Sequence, residues 1–432
     1  MQCLRCFILC GFLTFLTPKN FGQTATDSTR TFNISKQYLF QIDSIVTNGI
    51  KNRAFPGATV LAAKNGTIIY HKVFGFHTYD SLVPVGFQDL YDLASVTKIL
   101  GALPALMKLV EEGKLNLDVP FSTYWKPWRK YKDKKELTLR EILAHQAGLQ
   151  PYIVFLKRVL KKNGKFKSRF VRSTSSKRFN RQAYDGIFVN NRFERIVWQA
   201  INRSTTTNEK KYRYSGLAFL IFPKLIEQLT QEPYESYIHK NFYAPIGAKT
   251  LGYTPKLKGI VNPIVPTEID TLFRHTTTKA WVHDENAALL GGVSGNAGLF
   301  GTADDVFKMM QCYQNLGEFD GKRILKQETL LEFIKIQYPE NENRRGLGFD
   351  KPLIGNDTLN LSEAYPAPKA SAQSFGHAGF TGTFVWADPK NQLVFIFLSN
   401  RVYPYRSHRQ LYELNIRPQL QQLCYFMLEG LP

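Results

Sequence analysis

Two clusters of β-forming runs bracket this chain and limit what it can fold into. Ala58–Ala63 and Thr67–Phe74 lie near its start, and Phe375–Gly379, Thr383–Ala387 and Leu393–Leu398 lie near its end. All five favour the branched and aromatic residues that suit a pleated, half-buried surface. Their turns are legible too. Asn65-Gly66 supplies the left-handed conformations of a tight hairpin, and Asp388 to Asn391 make the turn between the last two runs. Between the clusters, apolar residues recur mostly at helical spacing. This β-then-α-then-β order predicts an α+β fold, and the junction of its two parts is a favoured place for a pocket.

The clearest helical pattern follows Asp92, Leu93, Ala94, Ser95, Val96, Thr97 and Lys98. Ile99, Leu100, Ala102, Leu103, Leu106, Met107, Leu109 and Val110 then fall on one apolar face, so a helix is expected from near Ser95 to about Glu112, with Gly113 ending it. Ser95 and Lys98 are three residues apart and therefore neighbours on that helix. A serine hydroxyl needs a base to become a nucleophile, and a lysine whose charge is disfavoured by burial or by another cation can be that base. The helix N-terminus would also favour an oxyanion beside Ser95. Taken alone, the pair reads equally as a helix-capping serine with a solvated lysine.

Other helices are expected from Leu39 to Ile50, over Leu139–Ala144, around Phe193 to Ile201, over Leu217–Leu229 and Ala303–Tyr313, around Gln327 to Ile336, and over about Leu411–Leu428. His145, at the end of one of them, reads as a structural contact more readily than as a base. His283, Asp284, Glu285 and Asn286 have metal-ligating side chains, but four adjacent positions cannot all face one ion without contorting the loop, so no metal is expected. The glycines at 291, 292, 295, 298 and 301 lack the lysine of a phosphate loop and the preceding strand of a dinucleotide site. They are expected to let backbone approach closely near a site. No cofactor is implied.

The N-terminus sets the cellular context. A single positive charge in Met1 to Arg5 precedes an apolar run from Cys6 to Leu16, which Pro18, Lys19 and Asn20 break. This reads as a signal peptide over residues 1–23, followed by a polar linker over 24–35 and one folded unit over 36–432. A periplasmic or secreted location follows. Three of five cysteines fall in the leader, leaving Cys312 and Cys424 either to pair or to sit as buried thiols. The formal charge is +21, and residues 151–213 hold 17 Lys and Arg against Asp185, Glu194 and Glu209. That basic insert lacks the zinc-finger or aromatic signatures of a nucleic-acid binder. It reads either as a solvated surface or as a patch for anionic envelope polymers and lipid head groups.

Three separated pieces together resemble the signature elements of the serine β-lactamases and penicillin-binding proteins: Ser95-x-x-Lys98, Tyr214-Ser215-Gly216 and His377-Ala378-Gly379. The nearest branch is that of class C β-lactamases, D-aminopeptidases and carboxylesterases, and the likeness spans about residues 36 to 430. Such a joint match is far more specific than any one piece. The resemblance implies a β-lactamase-like fold: an antiparallel sheet of the five runs, flanked by the terminal helices, with a mainly helical region inserted. It also implies that Ser95 attacks a carbonyl carbon, Lys98 takes its proton, Tyr214 completes the relay, and water hydrolyses the acyl-enzyme. Tyr212 is the weaker choice by register. His377 stands where β-lactamases usually carry lysine, with an implied part in orienting substrate and stabilising charge. Gly379 would let that strand approach closely, and the Phe380 and Ser95 N–H groups would form the oxyanion hole.

There are departures from the pattern. Gly216 stands where many relatives place Asn or Asp, which puts β-lactam turnover in doubt more than acylation. Asn296 and Gln146 replace an expected His and Thr. The expected function is therefore an exported serine hydrolase of esterase, D-peptidase or weak β-lactamase type, acting on a small ester or peptide-like substrate. The alternative is a silent relative that binds cell-wall peptide or glycan through the cleft and the basic insert.

Overall fold

The computed structural model describes residues 22–24 and 35–428, so the expected leader falls almost wholly outside the described residues. The two clusters of runs join into one antiparallel sheet. Helix α1 (Lys36–Lys51) precedes strands β1 (Gly57–Lys64) and β2 (Thr67–Gly75), and the late strands are β3 (Phe375–Ala378), β4 (Phe384–Asp388) and β5 (Leu393–Ser399). Their spatial order is β2-β1-β5-β4-β3, with Gly22–Thr24 paired on the outer edge of β2. The register sets Leu61 against Ile396, Ile396 against Val385, and Val385 against His377.

Because side chains alternate across a strand, the sheet buries two faces. Val60, Ala62, Phe395, Phe397 and Trp386 pack with Ile42 and Val46 of α1 and with Leu420 and Cys424 of the last helix. Leu61, Ala63, Val385, Val394 and Ile396 face the helical region instead. Cys312 belongs to that second core and Cys424 to the first, and both are buried free thiols. The sheet lies between them, so they do not pair.

Several expected helices are interrupted. The stretch from Ser95 to Glu112 is a 3-10 turn (Ala94–Val96), a π turn (Lys98–Ala102) and then α2 (Leu103–Glu111). Pro104 is the cause we assign, since its ring would clash with the carbonyl four residues back in a continuous α-helix. That carbonyl, of Leu100, accepts instead from the Tyr243 hydroxyl at 2.9 Å, and the Ile99 carbonyl accepts from Tyr313 at 2.7 Å. Pro223 acts likewise: Leu217–Leu229 opens as a 3-10 turn before α3 (Phe222–Thr230). The final helix breaks at Asn415, which has φ 49°, into Gln410–Glu413 and Ile416–Leu428. Within the basic insert, Val171–Arg172, Arg181–Tyr184 and Ile187–Val189 form a small sheet too short to announce itself by alternation. Among the described residues, no helix is long and apolar enough to cross a membrane.

Candidate active site

The chain reaches Ser95 through a short strand, Tyr91–Asp92, and a forced turn. Ala94 has φ 45°, a left-handed conformation that costs a non-glycine residue on the order of 1–3 kcal/mol. The Asp92 carboxylate holds it, accepting from Ala94 N–H at 2.8 Å and, across the cleft, from His283 N–H at 2.6 Å. Burial is the main reason the Asp92 carboxyl titrates above its ordinary range. The 379–383 turn is fastened to the same strand. Thr381 Oγ1 donates to the Asp92 carbonyl at 2.7 Å and Thr383 Oγ1 to the Leu93 carbonyl at 3.2 Å. Gly379 is what lets them close: a Cβ there would lie 2.0 Å from Thr383 Oγ1 and 2.7 Å from the Leu93 carbonyl oxygen.

The Lys98 side chain is buried, and its Nζ donates to Ser95 Oγ at 2.9 Å and to the Asn296 carbonyl at 2.9 Å. Glycines bring that carbonyl into reach. A Cβ on Gly295 would meet the Phe219 carbonyl oxygen at 2.4 Å, and Gly298 has φ 110°. Lys98 Nζ also lies 5.5 Å from the Tyr214 ring centre. Tyr214 lines the cleft with Ser95 and Lys98, whereas Tyr212 is exposed and does not.

His145 is a scaffold for the tyrosine segment. Its carbonyl accepts from Arg213 N–H at 2.8 Å, its Nδ1 from Ser215 N–H at 3.2 Å, and its ring centre sits 4.5 Å from that of Tyr214. Burial first, then Arg345, His377 and Lys98, hold its pKa well below the ordinary histidine value.

His377 stands beside Tyr214. It is buried on β3 with its ring centre 6.1 Å from that of Tyr214, and it does not line the cleft. Its pKa is lowered to about 3, chiefly by burial and then by Arg345 and Lys98. The ring is therefore neutral near pH 7, with Nδ1–H donating to the Ala378 carbonyl at 2.7 Å. A neutral imidazole cannot supply the charge that a lysine would. The buried cation on that side is Arg345, whose guanidinium carbon is 5.9 Å from the Tyr214 ring centre. Arg345 bonds Asp350 Oδ1 at 3.0 Å. Burial is the largest influence and opposes its charge, but Asp350 together with Tyr212, Tyr214 and Tyr365 outweighs it, so its pKa is raised. Sequence reasoning missed Arg345, because an arginine in a loop gives no periodic signal.

Phe380 forms part of the cleft rim, 48% exposed, and stacks on His283 with ring centres 5.7 Å apart. No protein acceptor among the described residues takes the backbone N–H of Phe380 or of Ser95. Gly216 also lines the cleft, where a Cβ would meet only Asn296 Cβ, at 4.0 Å. The Asn296 amide is held by Ser294 Oγ at 2.7 Å and by Asp284 at 3.3 Å. Of the residues read as possible metal ligands, His283 pairs with Glu268, Asp284 caps the helix Glu285–Leu289, and Glu285 pairs with Arg406. Each is committed to a separate protein partner. Asp284 nevertheless faces the cleft, its carboxyl pushed up mainly by burial.

The cleft encloses about 420 Å³. An antiparallel sheet with a helical insert, and a buried lysine on a serine hydroxyl at their junction, fit a serine hydrolase. The sequence profile of the beta-lactamase family matches residues 42–417, and the chain belongs to that family. It is similar to a protein of Salmonella gallinarum provisionally named D-alanyl-D-alanine carboxypeptidase, 29% identical over 84% of this chain and 83% of that one. Among solved structures it resembles a penicillin-binding protein homologue from Caulobacter crescentus (TM-score 0.63, 15% identity, 91% and 99% of the two chains). It also resembles a hydrolase with promiscuous acyltransferase activity (TM-score 0.62, 18% identity, 89% and 98%). These two likenesses bear on the fold alone.

Proposed function

We propose that this protein is an exported serine hydrolase that forms an acyl-enzyme on Ser95 and hydrolyses an ester or peptide-like amide. The observation that carries the reading is the 2.9 Å contact between Lys98 Nζ and Ser95 Oγ at the floor of an open cleft. Ser95 Oγ bonds to the carbonyl carbon as its proton passes to Lys98. Tyr214 relays a proton to the leaving oxygen or nitrogen, and that bond breaks. Water then attacks the acyl carbon, giving up a proton through Tyr214 and Lys98 to Ser95 Oγ as the bond between the acyl carbon and Oγ breaks. The unused N–H groups of Ser95 and Phe380 hold the oxyanion, a stabilisation typically worth ~2.7–4 kcal/mol.

The exposed apolar rim of Tyr152, Val154, Leu272 and Phe380 suits a substrate with an apolar part. A peptide-like substrate is supported by the relative named as a D-alanyl-D-alanine carboxypeptidase. Treatment with a fluorophosphonate, followed by mass mapping of the adduct, tests the reading. Labelling is expected at Ser95 and lost in Ser95→Ala. An adduct on another residue would defeat the mechanism.

A further inference from the structure

A separate cavity among the described residues is larger than the cleft. It encloses about 690 Å³ between the segment 123–127, the helix Phe193–Arg203 and the end of α3, and it shares no residue with the cleft around Ser95. Its walls are aromatic and cationic. Trp125 and Trp198 meet edge to face with ring centres 5.9 Å apart, and Trp198 remains partly exposed. The floor is built around one buried amide. Asn202 Oδ1 accepts from the indole N–H groups of Trp125 at 2.9 Å and Trp128 at 3.0 Å. With its oxygen so occupied, the Asn202 amide N–H₂ has no partner among the described residues and remains a donor at the cavity wall. Lys126 and Arg195 stand exposed at the mouth, and neither has a carboxylate partner among the described residues. Gln199 adds a further exposed amide.

We propose that this cavity is a binding site for an acidic oligosaccharide, separate from the hydrolytic cleft. Sugar rings present C–H faces that pack on the electron-rich face of an indole, while their hydroxyls need donors and acceptors such as Asn202 and Gln199. Lys126 and Arg195 add the selection for carboxylated or sulfated sugars. The helix that carries Arg195, Trp198, Gln199 and Asn202 belongs to the basic insert, so the surrounding field draws a polyanion towards the site. The basic insert thereby gains a specific focus, which a diffuse positive surface would lack.

Calorimetric titration of the intact protein with an oligouronate of four to six sugars tests this, with an uncharged oligosaccharide of equal length and a polyacrylate of equal charge as comparisons. The oligouronate is expected to bind at least about tenfold more tightly than either comparison. Trp198→Ala and the exposed pair Lys126→Gln/Arg195→Gln should each weaken it by about tenfold or more. Ester turnover at Ser95 should be unchanged in both, which separates this site from the proposed catalysis. Equal binding of the polyacrylate, or binding unaffected by either variant, would overturn the proposal. The pair variant changes only exposed side chains, so it remains decisive if Trp198→Ala fails to fold.

Discussion

Gly379→Ala offers the sharpest test of how Ser95 is held in place. The added methyl would sit 2.0 Å from Thr383 Oγ1 and 2.7 Å from the Leu93 carbonyl oxygen, where ordinary contacts begin at 3.4 Å. The hydroxyl must therefore give way by about 1.4 Å and the backbone by about 0.7 Å. Rotating Thr383 away relieves the first clash, but it sacrifices the bond to the Leu93 carbonyl, worth about 0.5–1.5 kcal/mol. The second clash has no rotamer to relieve it, and overpacking of this kind costs about 1–3 kcal/mol. Total destabilisation should thus be about 1.5–4.5 kcal/mol, within what a chain of this size tolerates.

The functional loss should be larger. The strand pushed aside leads within two residues to Ser95, and a misplacement of about 1 Å can cost ~10²-fold in rate. Thermal unfolding measures the first effect, and the rate of Ser95 labelling by a fluorophosphonate, on protein shown to be folded, measures the second. Gly379→Ala/Thr383→Ala should recover part of the stability, because it removes the nearest atom, yet little of the rate, because the Leu93 clash remains. Labelling of Gly379→Ala at the wild-type rate would refute the claim that this turn positions the serine.

Gly216→Asn should fold normally, with stability within about 0.5 kcal/mol, because a Cβ there meets only Asn296 Cβ at 4.0 Å. The ratio of β-lactam to ester turnover should rise. A loss of more than ~2 kcal/mol in urea unfolding would show the space is not free. Lys351 makes a pH prediction. Burial, partly countered by Asp388, lowers its pKa to about 8 in the folded protein, against 10.5 as the ordinary value. Below pH 8 both states bind the proton, so the folded state carries the whole penalty; between about 8 and 10.5 only the unfolded state keeps it, and stability rises by about 3 kcal/mol. Lys351→Met should lack that rise, so its stability difference from wild type should change by that amount between pH 7.5 and 10.5. A difference equal at both pH values would show that Lys351 keeps an ordinary pKa.

Much of the architecture is carried by local signals. The Asn65-Gly66 turn, the alternating strands and the apolar faces of α1 and Ala303–Gln314 are each encoded within a few residues, because strand and helix periods are short-range properties. Ser95 and Lys98 belong to the same class, since spacing along one turn brings them together before any tertiary contact forms. Pro104 and Pro223 also stood in the sequence, yet the periodicity of the flanking residues hid the irregular turns they cause.

Other features depend on atoms distant along the chain. His377 loses its charge through burial and through Arg345 and Lys98, none of which its neighbours on β3 reveal. Arg345, the Asn296 carbonyl on Lys98 and the cavity beneath Trp198 likewise exist only once separate segments have packed. Sequence alone determined the five strands of the main sheet, their turns and the pairing of Ser95 with Lys98, because backbone preference and side-chain period act over a few residues. Tertiary structure decided which cation stands beside Tyr214, the protonation of His377 and the shape of both cavities, because desolvation and Coulomb interactions act through space and are set by whatever the fold brings near.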